Sequence, residues 1–154
     1  MDRAVLSFIS GSGKREENIR RAIRSVERLP ATTVIAQSGL YGRETQAAVQ
    51  PGSDCTVACA VVLTGMSPCA LYGACKGIAA AVGREPDVPA QEAAVDISLL
   101  VYEGAACKND ELTLPNEDLL RRPAIRKVVT NIFQNGKVLD FNLTWPEKKK
   151  NSVL

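Results

Sequence analysis

A chain of 154 residues with 45% apolar and 23% charged side chains has the size and composition of one globular domain. Its net charge of +2 gives no electrostatic reason to expect a nucleic acid partner. It contains no histidine, which excludes Ser-His-Asp and Cys-His catalysis within the chain and removes the commonest zinc ligand.

Residues 4–9 are a short apolar run that predicts a strand, broken by Ser10-Gly11-Ser12-Gly13. Ile19, Ala22, Ile23, Val26 and Leu29 then recur at helical spacing among Arg and Glu, which predicts an amphipathic helix from Arg15 to near Pro30. Residues 32–36 are β-branched and predict a second strand, which 37–43 continue or follow as the next edge. Residues 44–54 carry Pro51-Gly52 without apolar period and read as a loop. Residues 57–63 predict a strand buried on both faces or nearly so. Ser67 then caps a helix with Pro68 in its first turn, which runs to about Val82 and stops at Gly83.

The near-uncharged stretch 57–82 is not a membrane span. Gly65-Met66-Ser67-Pro68 breaks it into halves shorter than the roughly 20 residues a bilayer needs.

Residues 84–90 hold two prolines and read as a second loop. Residues 95–102 predict a strand ended by Gly104, and Leu112-Thr113-Leu114 an extended piece before Pro115. Pro123 opens a last helix with Ile125, Val128, Val129, Ile132 and Phe133 on its apolar face. Asn135-Gly136 is a turn signal, residues 138–143 predict a final strand, and the charge run 147–150 reads as a solvated tail.

The order β-α-β-β-α-β, followed by a mixed C-terminal part, is that of a ferredoxin-like plait. The fold class expected is α+β, a mainly antiparallel sheet with helices packed on one face. One domain is expected over 1–145, with a basic tail over 146–154. Cys55, Cys59, Cys69, Cys75 and Cys107 show no C-x-x-C spacing. Their odd number and the lack of a signal segment predict reduced, mostly buried thiols in a cytoplasmic protein that contacts no membrane.

Two motifs invite a chemical reading. Gly11-Ser12-Gly13-Lys14 is tempting as a phosphate loop, but that loop needs Gly where Phe8 stands and Ser or Thr where Arg15 stands. A strand-to-helix turn of small residues explains it better. Asp96 sits in an otherwise apolar strand and shares a face with Ser98. A carboxylate there needs a partner, because burying it alone costs several kcal/mol, by order of magnitude. It is either a hard-cation or phosphate-site carboxylate, or a strand-end Asp that pairs with Arg84 or Arg122 or faces water.

The succession of blocks resembles the hydroxymethyl-dihydropterin pyrophosphokinases of folate biosynthesis. Those open with a strand, Gly-Ser-Asn and an amphipathic helix; here the blocks are Phe8-Ile9-Ser10-Gly11-Ser12-Gly13 and the helix from Arg15. A Ser-x-Phe-Tyr strand is matched by Ser38-Gly39-Leu40-Tyr41, and a Gly-Arg pair by Gly83-Arg84. An Asp-Leu-Asp-Ile-x-Leu strand is matched by Asp96-Ile97-Ser98-Leu99-Leu100. A Leu-x-Leu-Pro-His block, Arg and helix are matched by Leu112-Thr113-Leu114-Pro115-Asn116, Arg122 and the helix from Pro123.

The resemblance implies site residues. In that family two strand aspartates hold two magnesium ions between the ATP phosphates; here the positions are Asp96 and Ser98. The family's Pro-His position is Asn116, and its arginine before the Asp strand falls at or near Ala93. A pterin-binding Asn falls at Ala58, and the ring-stacking aromatics near Thr56 and Ala124. Asp96, Arg84 and Arg122 are retained, Asp96 as the remaining metal ligand.

The function expected is therefore a family homologue that is weakly active or inactive and acts as a binding or accessory protein for a nucleotide or pterin. The alternative is a working enzyme, which would use ATP and magnesium if the family activity survives. A second alternative is a ferredoxin-like interaction module. The sequence names no protein partner.

Overall fold

The computed structural model describes residues 1–42, 55–84 and 93–134. The loops expected at 44–54 and beyond Arg84, the turn at Asn135-Gly136, the strand at 138–143, the domain limit at 145 and the tail lie outside the described residues.

Four strands form one sheet: β1 (Asp2–Ser10), β2 (Thr32–Gln37), β3 (Thr56–Thr64) and β4 (Asp96–Tyr102), in the order β2-β3-β1-β4. Every neighbouring pair is antiparallel. Helix α1 (Arg15–Glu27) connects β1 to β2, and α2 (Pro68–Val82) connects β3 to β4. A hairpin of β5 (Cys107–Lys108) and β6 (Thr113–Leu114) follows, then α3 (Glu117–Leu120) and α4 (Pro123–Gln134). This is the plait expected from the element order. The short α3 and β5 had no periodic signal of their own.

The two expected helices cover one face of the sheet. Ile19, Ala22, Ile23 and Val26 of α1, with Leu71, Cys75 and Ala79 of α2, meet Leu6, Phe8, Ala60 and Leu99. The expectation of helices on one face alone was incomplete, because α4 covers the other. Its Ile125, Val128, Val129 and Ile132 lie on Val5, Val57, Cys59, Val61 and Leu100. The reason is visible in the central strands. β1 and β3 are buried at consecutive positions rather than alternate ones, and a strand apolar on both sides needs cover on both.

The register places Ser7 between Cys59 of β3 and Ser98 of β4. Ser7 is fully buried and its hydroxyl has no hydrogen-bond partner. An unsatisfied buried hydroxyl costs about 1–3 kcal/mol. Ser7→Ala is therefore expected to raise stability by roughly 1 kcal/mol in urea denaturation; a loss of that size would show that the hydroxyl is satisfied in solution.

The start of β1 is tied to the residue after β4. Glu103 accepts from the Arg3 backbone N–H at 2.9 Å and from its guanidinium at 3.1 and 2.6 Å. The Arg3 side-chain bonds first, then its N–H, hold the Glu103 carboxyl down at about 2, against an ordinary 4.5. A carboxyl depressed in the folded state contributes stability above its unfolded value and loses it as pH falls through the folded one. Stability is expected to decline from about pH 4.5 toward 2. Glu103→Gln should flatten that part of an acid titration followed by circular dichroism.

No helix among the described residues is long and apolar enough to cross a membrane. Cys55, Cys59 and Cys75 are buried, Cys107 half-buried and Cys69 exposed, and none of the five forms a disulfide. Burial pushes the Cys75 thiol up to about 12 and the Cys59 thiol up as well. A thiol raised in this way stays protonated near neutral pH, which makes Cys59 and Cys75 poor nucleophiles.

Candidate functional site

Asp96 stands at the first position of β4, an edge strand, opposite Ile9 of β1. Its place is fixed by the residues just before it. The Ala93 carbonyl accepts from the Gly11 N–H at 2.9 Å. The Ala94 carbonyl accepts from the Ser10 hydroxyl and, at 3.1 Å, from the Asn18 side-chain amide. The Ser10-Gly11-Ser12-Gly13 turn thus holds a neighbouring chain segment, which is the structural role its small residues suggested.

Arg84 reaches the same point from the end of α2. Gly83 closes that helix at φ 125, a conformation that favours glycine, and its N–H bonds the Ala79 and Ala80 carbonyls at 3.1 Å. A Cβ at Gly83 would lie 3.6 Å from Ala94. The chain therefore leaves α2 against the segment that leads into β4. Arg84 Nε then donates to Asp96 Oδ1 at 3.2 Å, with both side chains about three-quarters shielded, at 22% and 24% exposure. Ser98 Oγ makes a longer contact of 3.4 Å to Asp96 Oδ2.

Three of the site residues read from the sequence, Asp96, Ser98 and Arg84, therefore converge. Asn116 is tied to the same strand, its N–H donating to the Leu100 carbonyl at 2.8 Å, but its side chain is engaged elsewhere. Asn116 Oδ1 accepts from the Leu119 N–H at 3.1 Å and caps α3. Arg122 precedes α4 and is exposed, and among the described residues no hydrogen bond or ion pair joins its side chain to Asp96, Ser98 or Arg84.

The remaining positions are apolar walls or backbone anchors. Ala93 is buried. Ala58 faces the α1–α2 side, whereas its neighbours Val57 and Cys59 face α4. Asp96 lies on the α4 side, so Ala58 points away from it. Thr56 and Ala124 are buried and bring no ring.

The aromatic residue at this end of the sheet is Tyr41, quoted above only as part of a strand block. Its N–H donates to the Val57 carbonyl at 2.9 Å and its carbonyl accepts from the Val57 N–H at 2.8 Å. With Pro123 and the outer face of α4 it lines an open depression of about 380 Å³. Only the run Arg126, Lys127, Thr130, Asn131 on one side of a helix could have signalled it in sequence.

The donor set falls short of the metal pair the resemblance implies. Asp96 offers one carboxylate, already shared between a guanidinium and a hydroxyl. No group of three or more His, Cys, Asp or Glu able to hold a metal occurs among the described residues. Among the described residues the site therefore offers one carboxylate, which does not fit two dications that take oxygen ligands and need compensating charge.

Comparison with known proteins gives a consistent picture. The profile of the 7,8-dihydro-6-hydroxymethylpterin-pyrophosphokinase (HPPK) family matches residues 5–134. The folic acid synthesis protein fol1 of Schizosaccharomyces pombe is 29% identical over 119 residues, covering 77% of this chain and 16% of fol1. The 2-amino-4-hydroxy-6-hydroxymethyldihydropteridine pyrophosphokinase of Methylorubrum extorquens is 29% identical over 123 residues, 79% of this chain and 77% of that protein. A crystal structure of HPPK-DHPS in complex with substrates shares the fold, with TM-score 0.51 at 13% identity over 84% of this chain and 31% of that one. The chain thus spans only a small part of fol1 and about a third of the HPPK-DHPS chain.

Proposed function

Because this chain belongs to the 7,8-dihydro-6-hydroxymethylpterin-pyrophosphokinase family, we propose that it is a homologue that binds rather than transfers, weakly active or inactive as a kinase and serving as a binding or accessory protein for a nucleotide or pterin. The observation that carries this reading is the Arg84–Asp96 ion pair at 3.2 Å with Ser98 alongside. Arg84 supplies the positive charge that a metal would otherwise bring to Asp96. A dication entering there must displace a guanidinium and would find a neutral hydroxyl in place of a second carboxylate. Transfer of a phosphoryl group rests on positioning and electrostatic stabilisation, so the same loss that weakens metal binding weakens the chemistry. The arginine remains suited to an anion.

A working pyrophosphokinase is the second reading, favoured by the convergence of Asp96, Ser98 and Arg84 on one strand end. It would move the terminal pyrophosphate of ATP to the 6-hydroxymethyl oxygen of a dihydropterin and release AMP, and it would call on Arg84 and Arg122 to hold the phosphates.

The two readings differ in what Asp96 does to an anionic ligand. Without metal it repels the phosphates and competes for Arg84, so Asp96→Asn should strengthen binding of a non-hydrolysable ATP analogue. Calorimetric titration with and without magnesium, repeated with a pterin, checks this. Binding that requires magnesium and disappears in Asp96→Asn would overturn the proposal.

A further inference from the structure

We propose that Ser7 is a positioning residue for the Asp96 site. Its buried hydroxyl is the inner member of a relay, Ser7 to Ser98 to Asp96, that closes when an anionic ligand draws Arg84 away from Asp96. This rests on the binding reading given above, and it gives a residue of the core a part in regulating that site.

Ser7 is fully buried and its Oγ has no hydrogen-bond partner. Buried polar atoms are nearly always bonded, so an exception calls for a cause. Val5 and Ile9, two residues to either side in β1, pack on the α4 side of the sheet, and alternation places Ser7 on that side with them. The residues directly opposite share its face: Cys59 in β3 and Ser98 in β4. Cys59 is a poor partner, because a thiol accepts weakly and its side chain is already bonded to Ser38. Ser98 is a good one. Among the described residues its hydroxyl makes one hydrogen bond, donated to Asp96 Oδ2 at 3.4 Å, and a hydroxyl that donates can also accept. Opposite residues of an antiparallel pair hold their Cβ atoms about 4.5–5.5 Å apart. A change of χ1 rotamer at Ser7 brings two such hydroxyls within bonding reach.

In the free protein the relay is slack. A contact of 3.4 Å is long for a hydroxyl on a carboxylate, and Arg84 Nε at 3.2 Å already balances the charge of Asp96. An anion that takes Arg84 leaves the carboxylate to Ser98. That bond then shortens, and a hydroxyl that donates strongly also accepts more strongly. Ser7 O–H donates to Ser98 Oγ in turn. The unsatisfied hydroxyl thus belongs to the free state and finds its partner in the bound one, so it favours the bound state.

Two measurements on the whole chain test this. The first needs no ligand. Arg84→Ala takes the guanidinium from Asp96 as an anion would. Ser7→Ala should raise the urea midpoint in the parent but lower it in the Arg84→Ala background. A rise of equal size in both backgrounds would overturn the relay. The second is calorimetric titration with inorganic pyrophosphate in the absence of magnesium. Ser7→Ala should weaken binding about threefold to tenfold although it stabilises the fold, and it should change nothing in a Ser98→Ala background. A serine with a purely structural role would move stability alone. Unchanged affinity in Ser7→Ala, or an equal loss in the Ser98→Ala background, would overturn the proposal. Absence of pyrophosphate binding by the parent would overturn the anion reading and with it the ligand step, while the urea comparison would still decide the relay.

Discussion

Truncating Phe8 to alanine is expected to destabilise the fold by about 3–5 kcal/mol. Phe8 is fully buried in β1, the strand paired on both sides, with Ala58 opposite in β3 and Ile97 in β4. Its ring belongs to the cluster covered by α1 and α2. Its strand neighbour across the β1–β3 pair is an alanine, too small to fill the space left behind. The cost therefore includes both lost transfer energy and an unfilled cavity. A domain of this size holds about 5–15 kcal/mol in total, so the variant should lose a third or more of its stability. Urea denaturation measures this as a lower midpoint at unchanged slope. Phe8→Leu, which keeps most of the volume, should cost far less, and equal losses for the two variants would mean that the cavity argument fails.

The parts of this fold that were legible in sequence are those where periodicity and punctuation agree. The amphipathic spacing of Ile19, Ala22, Ile23 and Val26 marked α1, and Ser67-Pro68 and Gly83 marked both ends of α2. The second covered face was only half legible. Residues 57–63 read as buried on both sides, but nothing local says which helix supplies the cover, and α4 arrives from about 60 residues later.

The site divided in a similar way. Asp96 in an apolar strand was conspicuous, and Arg84 was one of two partners considered for it; the structure selects Arg84 because Gly83 turns the chain toward Ala94. Arg122 was the other, and its place ahead of α4 depends on how α3 and α4 follow one another, which spacing alone does not fix. The orientation of Ala58 could not be read because both faces of β3 are apolar, so alternation carries no signal there. Tyr41 was hidden for another reason. Its importance comes from a helix more than 80 positions away in the chain.

The second large expectation concerns catalysis. Family membership brings an expectation of pyrophosphoryl transfer, and the chemistry of the retained residues argues against it. A two-metal site stabilises both the attacking and the leaving oxygen of an in-line displacement. Asp96 offers a single carboxylate, and its counter-charge is already Arg84. Losing one preorganised electrostatic partner alone costs on the order of 10²–10³ in rate. The positions aligned with the stacking aromatics are the buried Thr56 and Ala124. Each absent ring forfeits roughly 1 kcal/mol of pterin binding, and Ala93 brings no arginine. These losses fall on different steps, so together they should place transfer on the order of 10³-fold or more below a competent site.

The most direct measurement is AMP release by the purified chain supplied with ATP, magnesium and hydroxymethyl-dihydropterin, run beside Ser98→Asp and Asp96→Asn. The parent is expected to release no AMP above the enzyme-free control, with at most a trace from Ser98→Asp, where the second carboxylate is restored. AMP released by the parent, dependent on the pterin and abolished by Asp96→Asn, would contradict the account and establish the chain as a working pyrophosphokinase.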